Sequence, residues 1–183
     1  MTPALLNTAD GRYPARLRER LGTHTPPHLT ALGNLKLLSF PKTALFCSAR
    51  CPGSAILAAY DTAQKLRDEG VTVISGFHSS VEKECLRILL RGKQPIIIGL
   101  ARAMEKIRLP YDWRAALYAG RLLILSPFEK RPRRPTIESA SQRNELVAAL
   151  ADEVLIIHAT PGGGIERISE LVGSWHIPLR KLD

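Results

Sequence analysis

Thr43–Leu66 reads TALFCSARCPGSAILAAYDTAQKL. Its first part, Ala44–Cys47, is an apolar run with the length and flanks of a buried strand. A polar turn of small residues follows, Ser48-Ala49-Arg50-Cys51-Pro52-Gly53-Ser54. Ile56, Leu57, Tyr60, Ala63 and Leu66 then recur at helical spacing. Strand, short turn and helix in that order open a doubly wound α/β domain. The helix start aims N–H groups into the turn, and its dipole favours an anion there. Arg50 adds a full positive charge, so the stretch predicts an anion site built on Ser48, Arg50, Gly53 and Ser54. It lacks the G-x-G-x-x-G fingerprint and does not single out a dinucleotide. A unit without that fingerprint is more often scaffold than site.

Outward from this stretch, strands and helices alternate. Strands are predicted at Val71–Ile74, Pro95–Ile98, Arg121–Leu125, Glu153–Ile157 and His176–Leu179. Helices are predicted at about Val81–Arg91, Glu138–Leu150 and Ile165–Val172, with residues 100–119 mostly helical and interrupted by Pro110. The alternation predicts a Rossmann-like α/β fold: a doubly wound, mainly parallel sheet with helices on both faces. In the common order 3-2-1-4-5, the first of these strands lies beside the fourth. Ahead of them, Met1–Gly11 reads as frayed, Leu17 and Leu21 mark a short arginine-rich helix, and His28–Leu32 reads as a helical turn. Residues 1–40 are therefore expected to form a helical cap on a domain at 41–183.

The chain has 183 residues and a net charge of +9, with a pI near 9.9. That bias favours polyanionic partners, nucleic acid before anionic membrane. No apolar run approaches the roughly 20 residues of a membrane span, and MTPALLNTADGRYP has neither the basic start nor the apolar core of a signal peptide. Three cysteines without framework spacing suit a reducing cytoplasm.

Three turns leave strand ends and open helices: Ser48–Ser54, Ser75–Ser80 and Thr160–Gly164. Ligands of open α/β sheets bind outside those ends. With the first strand beside the fourth, one crevice would hold Arg50, the Ser126–Pro135 loop, and Arg143 with Asn144 on the following helix; Ser75 and Gly76 belong to the second turn. Gly162, Gly163 and Gly164 would let backbone approach a ligand closely, and read equally well as a flexible turn. Lys130, Arg131, Arg133 and Arg134 concentrate four cations in a proline-stiffened loop. That suits phosphate contacts, or simply a solvated loop. Catalysis finds little support. The five histidines show no metal spacing, Cys47 and Cys51 lack a second pair, and neither a G-x-S-x-G elbow nor a P-loop is present. No catalytic residue, metal or cofactor is expected.

These residues form a series that resembles the DNA-processing protein A (DprA/Smf) family over about residues 13–179. Tyr13-Pro14, Pro26-Pro27 and Leu32-Gly33-Asn34 look like its entry into the domain. Phe46-Cys47-Ser48-Ala49-Arg50 stands where the family has a valine-glycine-serine-arginine turn, and Val73-Ile74-Ser75-Gly76-Phe77 is similar to its valine-serine-glycine-leucine strand end. Gln142-Arg143-Asn144-Glu145, followed by Leu150–Ile157, resembles its arginine-asparagine helix running into a buried strand. There are departures. Ser80-Val81-Glu82 replaces glycine-isoleucine-aspartate, Leu86 replaces a histidine, and His158 replaces the acid that ends the fifth strand. Pro161–Gly164 is similar to part of the P-G-G-x-G-T turn of lysine-decarboxylase-like phosphoribohydrolases, and no C-terminal winged helix follows.

The resemblance implies a protein that binds single-stranded DNA, hands it to a RecA-type recombinase, forms a homodimer and performs no bond chemistry. Arg50 and Arg143 would hold phosphates, with the basic loop as an electrostatic funnel. Aromatic residues are few, so base stacking is expected to be minor. The alternative is a nucleotide-binding sensor or a nucleoside-monophosphate phosphoribohydrolase-like enzyme, drawn from Pro161–Gly164 and the three turns.

Overall fold

Continuous apolar runs such as Ile96–Ile98 and Leu122–Leu125 are strands buried on both faces, as parallel strands covered by helices must be. The structure, a computed structural model, describes residues 2–182. In chain order the elements are β1 (Ala4–Asn7), α1 (Ala15–Leu21), β2 (His28–Gly33), β3 (Lys42–Cys47), α2 (Gly53–Asp68), β4 (Thr72–Ser75) and α3 (Ser80–Leu90). They continue with β5 (Ile96–Gly99), α4 (Tyr111–Tyr118), β6 (Leu122–Ser126), α5 (Ile137–Leu150), β7 (Glu153–His158), α6 (Gly164–Ser174) and β8 (Leu179–Lys181).

All eight strands form one sheet, ordered β1-β2-β6-β5-β4-β3-β7-β8. Strands β3 to β8 are parallel where they pair with one another, and β1 and β2 join antiparallel beside β6. The fold is the expected Rossmann-like one, with corrections to the strand order, to the start of the chain and to residues 100–119. The order 3-2-1-4-5 does not hold. The chain steps from β3 through β4 and β5 to β6 before α5 carries it back on the other face, so β7, not β6, lies beside β3. No residue pattern marks where a doubly wound chain reverses, because pairing between distant strands leaves no local signature. The second correction concerns the start of the chain. His28–Leu32 is a strand, not a helical turn: Leu29 and Ala31 point into one core and Leu32 into the other, with a period of two. Ala4–Asn7 is its antiparallel partner rather than a frayed end. Residues 100–110 are irregular, and helix there is confined to Tyr111–Tyr118.

One core lies under α2, α3 and α4, with Ala59, Ala63, Cys85, Leu89 and Leu117 facing Leu45, Val73, Ile96 and Ile124. The other lies under α1, α5 and α6, with Leu17, Leu146, Val147 and Ile168 against Phe46, Ile74, Ile97 and Leu125. Helix α1 also closes the end of α5. Arg16 donates to the carbonyl of Leu150 at 3.0 Å, and Arg20 donates to those of Ala149 and Ala151 at 2.8 and 2.7 Å. These are carbonyls that a helix end leaves without intrahelical partners.

Candidate nucleic-acid interface

Because β4, β3 and β7 are contiguous, the turns that leave their carboxyl ends meet at one rim. The Ser48 amide donates to the His158 carbonyl at 3.0 Å, and the Ser48 hydroxyl accepts the Thr160 amide at 2.9 Å. The Thr160 hydroxyl donates to the Arg50 carbonyl at 3.2 Å. Ser48 and Thr160 thus stitch the first turn to the third. The second turn is tied in by Glu82, whose carboxylate accepts the amides of Cys47 (3.0 Å), His78 (2.8 Å) and Ser79 (3.2 Å). Ser79 and Glu82 form a capping box at the start of α3.

Arg143 is the charged centre of the rim. It projects from α5 onto a floor of two glycines. A Cβ at Gly76 would lie 2.0 Å from its Nη1, and a Cβ at Gly99 would lie 3.4 Å from its Cγ. Any side chain at Gly76 would displace the guanidinium, which is the physical reason for glycine there. Arg143 is 5% exposed. Its Nε donates to the Asn144 side-chain oxygen at 2.8 Å, and among the described residues its terminal nitrogens have no hydrogen-bond acceptor. Burial pushes its pKa down, and the negative charge of Glu82 opposes that shift. His78, exposed at the same rim, is pushed below the ordinary histidine value by burial first and then by Arg143 and Lys83.

The three turns differ in what they offer an anion. At α3, the amides are occupied by Ser79 and Glu82. At α6, Gly162 (φ +72°) donates its amide to the Glu166 carboxylate at 2.6 Å and Gly163 donates to the Thr160 carbonyl at 2.9 Å. The glycine run is therefore a self-capped turn; Gly164 opens the helix. Only α2, of these three helices, begins with neither a side-chain cap nor an acid in its first turn. Exposed Arg50, Gly53 and Ser54 surround that start. Ser75 is fully buried, and its hydroxyl accepts the Phe77 amide at 3.2 Å.

The basic loop does not line a crevice with Arg50, because β6 stands three strands from β3. At the usual strand spacing that is about 14 Å. Lys130, Arg131, Arg133 and Arg134 are exposed beyond β6. The loop is fastened by the Ser126 hydroxyl, which donates to the Arg102 carbonyl at 2.8 Å, and by the Ala103 amide, which donates to the Pro132 carbonyl at 2.8 Å. Between the loop and the start of α5 runs a groove of about 710 Å³, lined by Phe128, Arg131, Arg133, Thr136, Glu138 and Gln142 among others. A second groove of about 760 Å³ shares Phe128, Glu138 and Gln142 with it and extends to His24, Pro26 and Arg167. Helix α5 thus links the basic loop to the Arg143 floor at the ends of β4 and β5. The result is a track across the rim rather than one pocket.

Sequence reasoning missed Phe128, His78 and the role of Glu82, and named Gln142 only as part of the family motif. The Ser79-x-x-Glu82 spacing was a readable capping-box signal. Phe128 offered none beyond being the one aromatic residue of its loop. Cys85 is pushed up to about 12 and Cys47 is also raised, in both cases chiefly by burial, so both stay protonated. Among the described residues no group of His, Cys, Asp and Glu side chains could hold a metal ion.

The family described as DNA recombination-mediator protein A matches residues 4–167. No curated protein matches the chain. Among solved structures it is similar to DNA processing protein A from Streptococcus pneumoniae, at 21% identity and a TM-score of 0.79 over 98% of this chain. It spans 62% of that protein's length. It is also similar to DNA processing protein A from Helicobacter pylori, a structure described for its single-stranded DNA binding mode. There the identity is 24% and the TM-score 0.75, over 98% of this chain and 80% of that one. The molybdenum cofactor carrier protein from Chlamydomonas reinhardtii shares the fold more distantly, at 13% identity and a TM-score of 0.53 over 78% of this chain and 76% of that one.

Proposed function

The chain belongs to the DNA recombination-mediator protein A family, and from that premise we propose that it binds single-stranded DNA along the carboxyl-end rim of its sheet. The observation that carries this reading is the separation of the positive features. The open start of α2 with Arg50, the buried Arg143 and the four-cation loop lie spread along one rim. A single nucleotide would need its phosphate contacts in one place; a polynucleotide presents a phosphate to each. In this reading Arg143 seats one phosphate against Gly76, Arg50 and the first amides of α2 (Gly53, Ser54) take another, and Lys130, Arg131, Arg133 and Arg134 gather the approaching strand. Phe128, beside the 710 Å³ groove, offers a ring on which one base stacks. Ser48, Ser75, Gly76, Asn144 and the glycine turn shape the rim rather than supply charge.

The chemistry is binding. Glu82 is held by three amides and Glu166 by one, so these two carboxylates act as internal counter-charges. Delivery to a RecA-type recombinase, a homodimeric state and a cytoplasmic setting complete the proposal; no helix among the described residues is long and apolar enough to cross a membrane. A second reading, a nucleotide sensor, draws on the same 710 Å³ groove. Fluorescence anisotropy with oligo-dT at two salt concentrations separates the two. The DNA reading predicts affinity that falls steeply with salt. Changing the four loop cations together to alanine should then flatten the log–log slope by about two to three. Tight binding of nucleoside monophosphates with no salt-dependent oligo-dT binding would favour the sensor.

A further inference from the structure

Helix α4 holds two aromatic rings out into water. Tyr111 and Tyr118 are 75% and 80% exposed, while Ala116 and Leu117 on the opposite side are buried against the sheet. The two tyrosines are seven positions apart, which places them on one face, about 10 Å apart along the axis. Arg114 and Ala115, both exposed, lie between them. Among the described residues no hydrogen bond engages the side chain of either tyrosine on this face.

What leads to it is basic. The segment from Arg102 to α4 also carries exposed Lys106 and Arg108, against the acids Glu105 and Asp112. This segment is bonded to the neighbourhood of the basic loop. Besides the contacts through Ser126 and Pro132, the Ser139 hydroxyl donates to the Ala101 carbonyl at 2.7 Å. Lys106 and Arg133 share the wall of a small hollow of about 170 Å³. Cations therefore continue from Arg131 and Arg133 over Lys106 and Arg108 to Arg114, beside the two rings.

We propose that this face of α4 is a second contact for single-stranded DNA, on which bases stack against Tyr111 and Tyr118 while Arg108 and Arg114 hold the intervening phosphates. The inference rests on the rim reading above and extends the track past the basic loop and down the side of the molecule. Charge decides the occupant. An apolar partner helix would have to strip water from Lys106, Arg108 and Arg114 without offering them an anion, which opposes docking. A polynucleotide supplies the anion and a planar base together, and every base has a face that can stack. The contact should thus be indifferent to sequence and seen only by strands long enough to reach beyond the rim.

The test uses the full chain and two fluorescein-labelled probes, dT6 and dT20, read by anisotropy. Tyr111→Ala with Tyr118→Ala should weaken dT20 binding about tenfold or more and leave dT6 binding unchanged. Tyr111→Phe with Tyr118→Phe should keep wild-type affinity, because the ring is retained. Both tyrosines are exposed, so circular dichroism should show the fold of each variant intact. Equal dT20 affinity in the alanine variant and the wild type overturns the proposal and leaves the rim reading standing. Unchanged dT20 affinity with a shift from dimer to monomer in size-exclusion chromatography overturns it too, and gives the face to a second copy. If the wild type binds neither probe, the rim reading falls and this inference falls with it.

Discussion

The two ends of the sheet hold the same kind of residue in opposite circumstances. At the amino end, Lys42 is almost fully buried, its side chain 1% exposed, and lies 3.5 Å from Asp152. Arg16 reaches the same carboxylate at 2.9 Å, and Arg16 and Arg20 donate to the last carbonyls around α5. Those cations have protein acceptors. At the carboxyl end, Arg143 has only its neighbour Asn144 as a hydrogen-bond acceptor among the described residues, and the cations of the 130–134 loop are exposed. A net charge of +9 therefore says little about where an anion would sit. The state of each cation's partners says more. Arginine-rich α1 is an internal clamp, and the rim is where positive charge is left over.

The comparison can be broken most sharply at Arg143. Arg143→Ala should weaken oligo-dT binding by about a hundredfold, the scale of a charge-assisted contact that is buried and bidentate. Arg143→Lys should not restore it, because an ammonium cannot reproduce the guanidinium fork. Anisotropy titration reads both: near-wild-type affinity in the alanine variant would show that the buried guanidinium is only structural, and near-wild-type affinity in the lysine variant would show that charge alone suffices.

The mirror-image change is Asp152→Ala. It should leave DNA affinity alone and lower stability by about 2 kcal/mol, because Lys42 would remain buried without its counter-charge. Burial raises the Asp152 pKa, but the Lys42 amide, Arg16 and the Lys42 ammonium together outweigh it and hold the carboxyl below its usual value. The stability it contributes is therefore present above about pH 4 and lost as pH falls through the folded pKa. Urea denaturation at pH 7 and pH 3 checks this; a variant equal to the wild type at pH 7 would remove the clamp from the account.

A smaller effect sharpens the rim side. His78 is pushed below the ordinary histidine value by burial and by the positive charges of Arg143 and Lys83, with Glu82 opposing. A phosphate at the rim would favour the imidazolium, so binding takes up a proton. Affinity should rise about threefold as pH falls from 7.5 to 6, across the ordinary histidine range. In His78→Gln that dependence should flatten, and an identical pH profile in the two proteins would place the phosphate elsewhere.

Much of this is legible in the sequence, and what is not has physical causes. The parallel strands announced themselves through apolar runs and their helices through spacing, except β8, expected at His176–Leu179 but lying at Leu179–Lys181, where LRK is not an apolar run. β2 did not, since HLTALG mixes polar and apolar residues between Pro27 and Asn34 and its pairing with β6 spans about half of the chain. Strand order was invisible for the same reason, and with it the distance between Arg50 and the basic loop. Arg143 and Asn144 were legible through family likeness. The glycine floor under Arg143 was not, because Gly76 and Gly99 lie far from it in sequence. Nor could three consecutive glycines reveal that Glu166 and Thr160 would take two of their amides.

Hydrogen–deuterium exchange of the intact chain, with and without oligo-dT, tests the contrast between the two ends most directly. The account predicts new protection over Ser48–Ser54, Gly76–Ser79 and the 127–136 loop, and none over Ala15–Leu21 at the clamp. Protection centred on Ala15–Leu21, with the three rim segments exchanging as in the free protein, would contradict it.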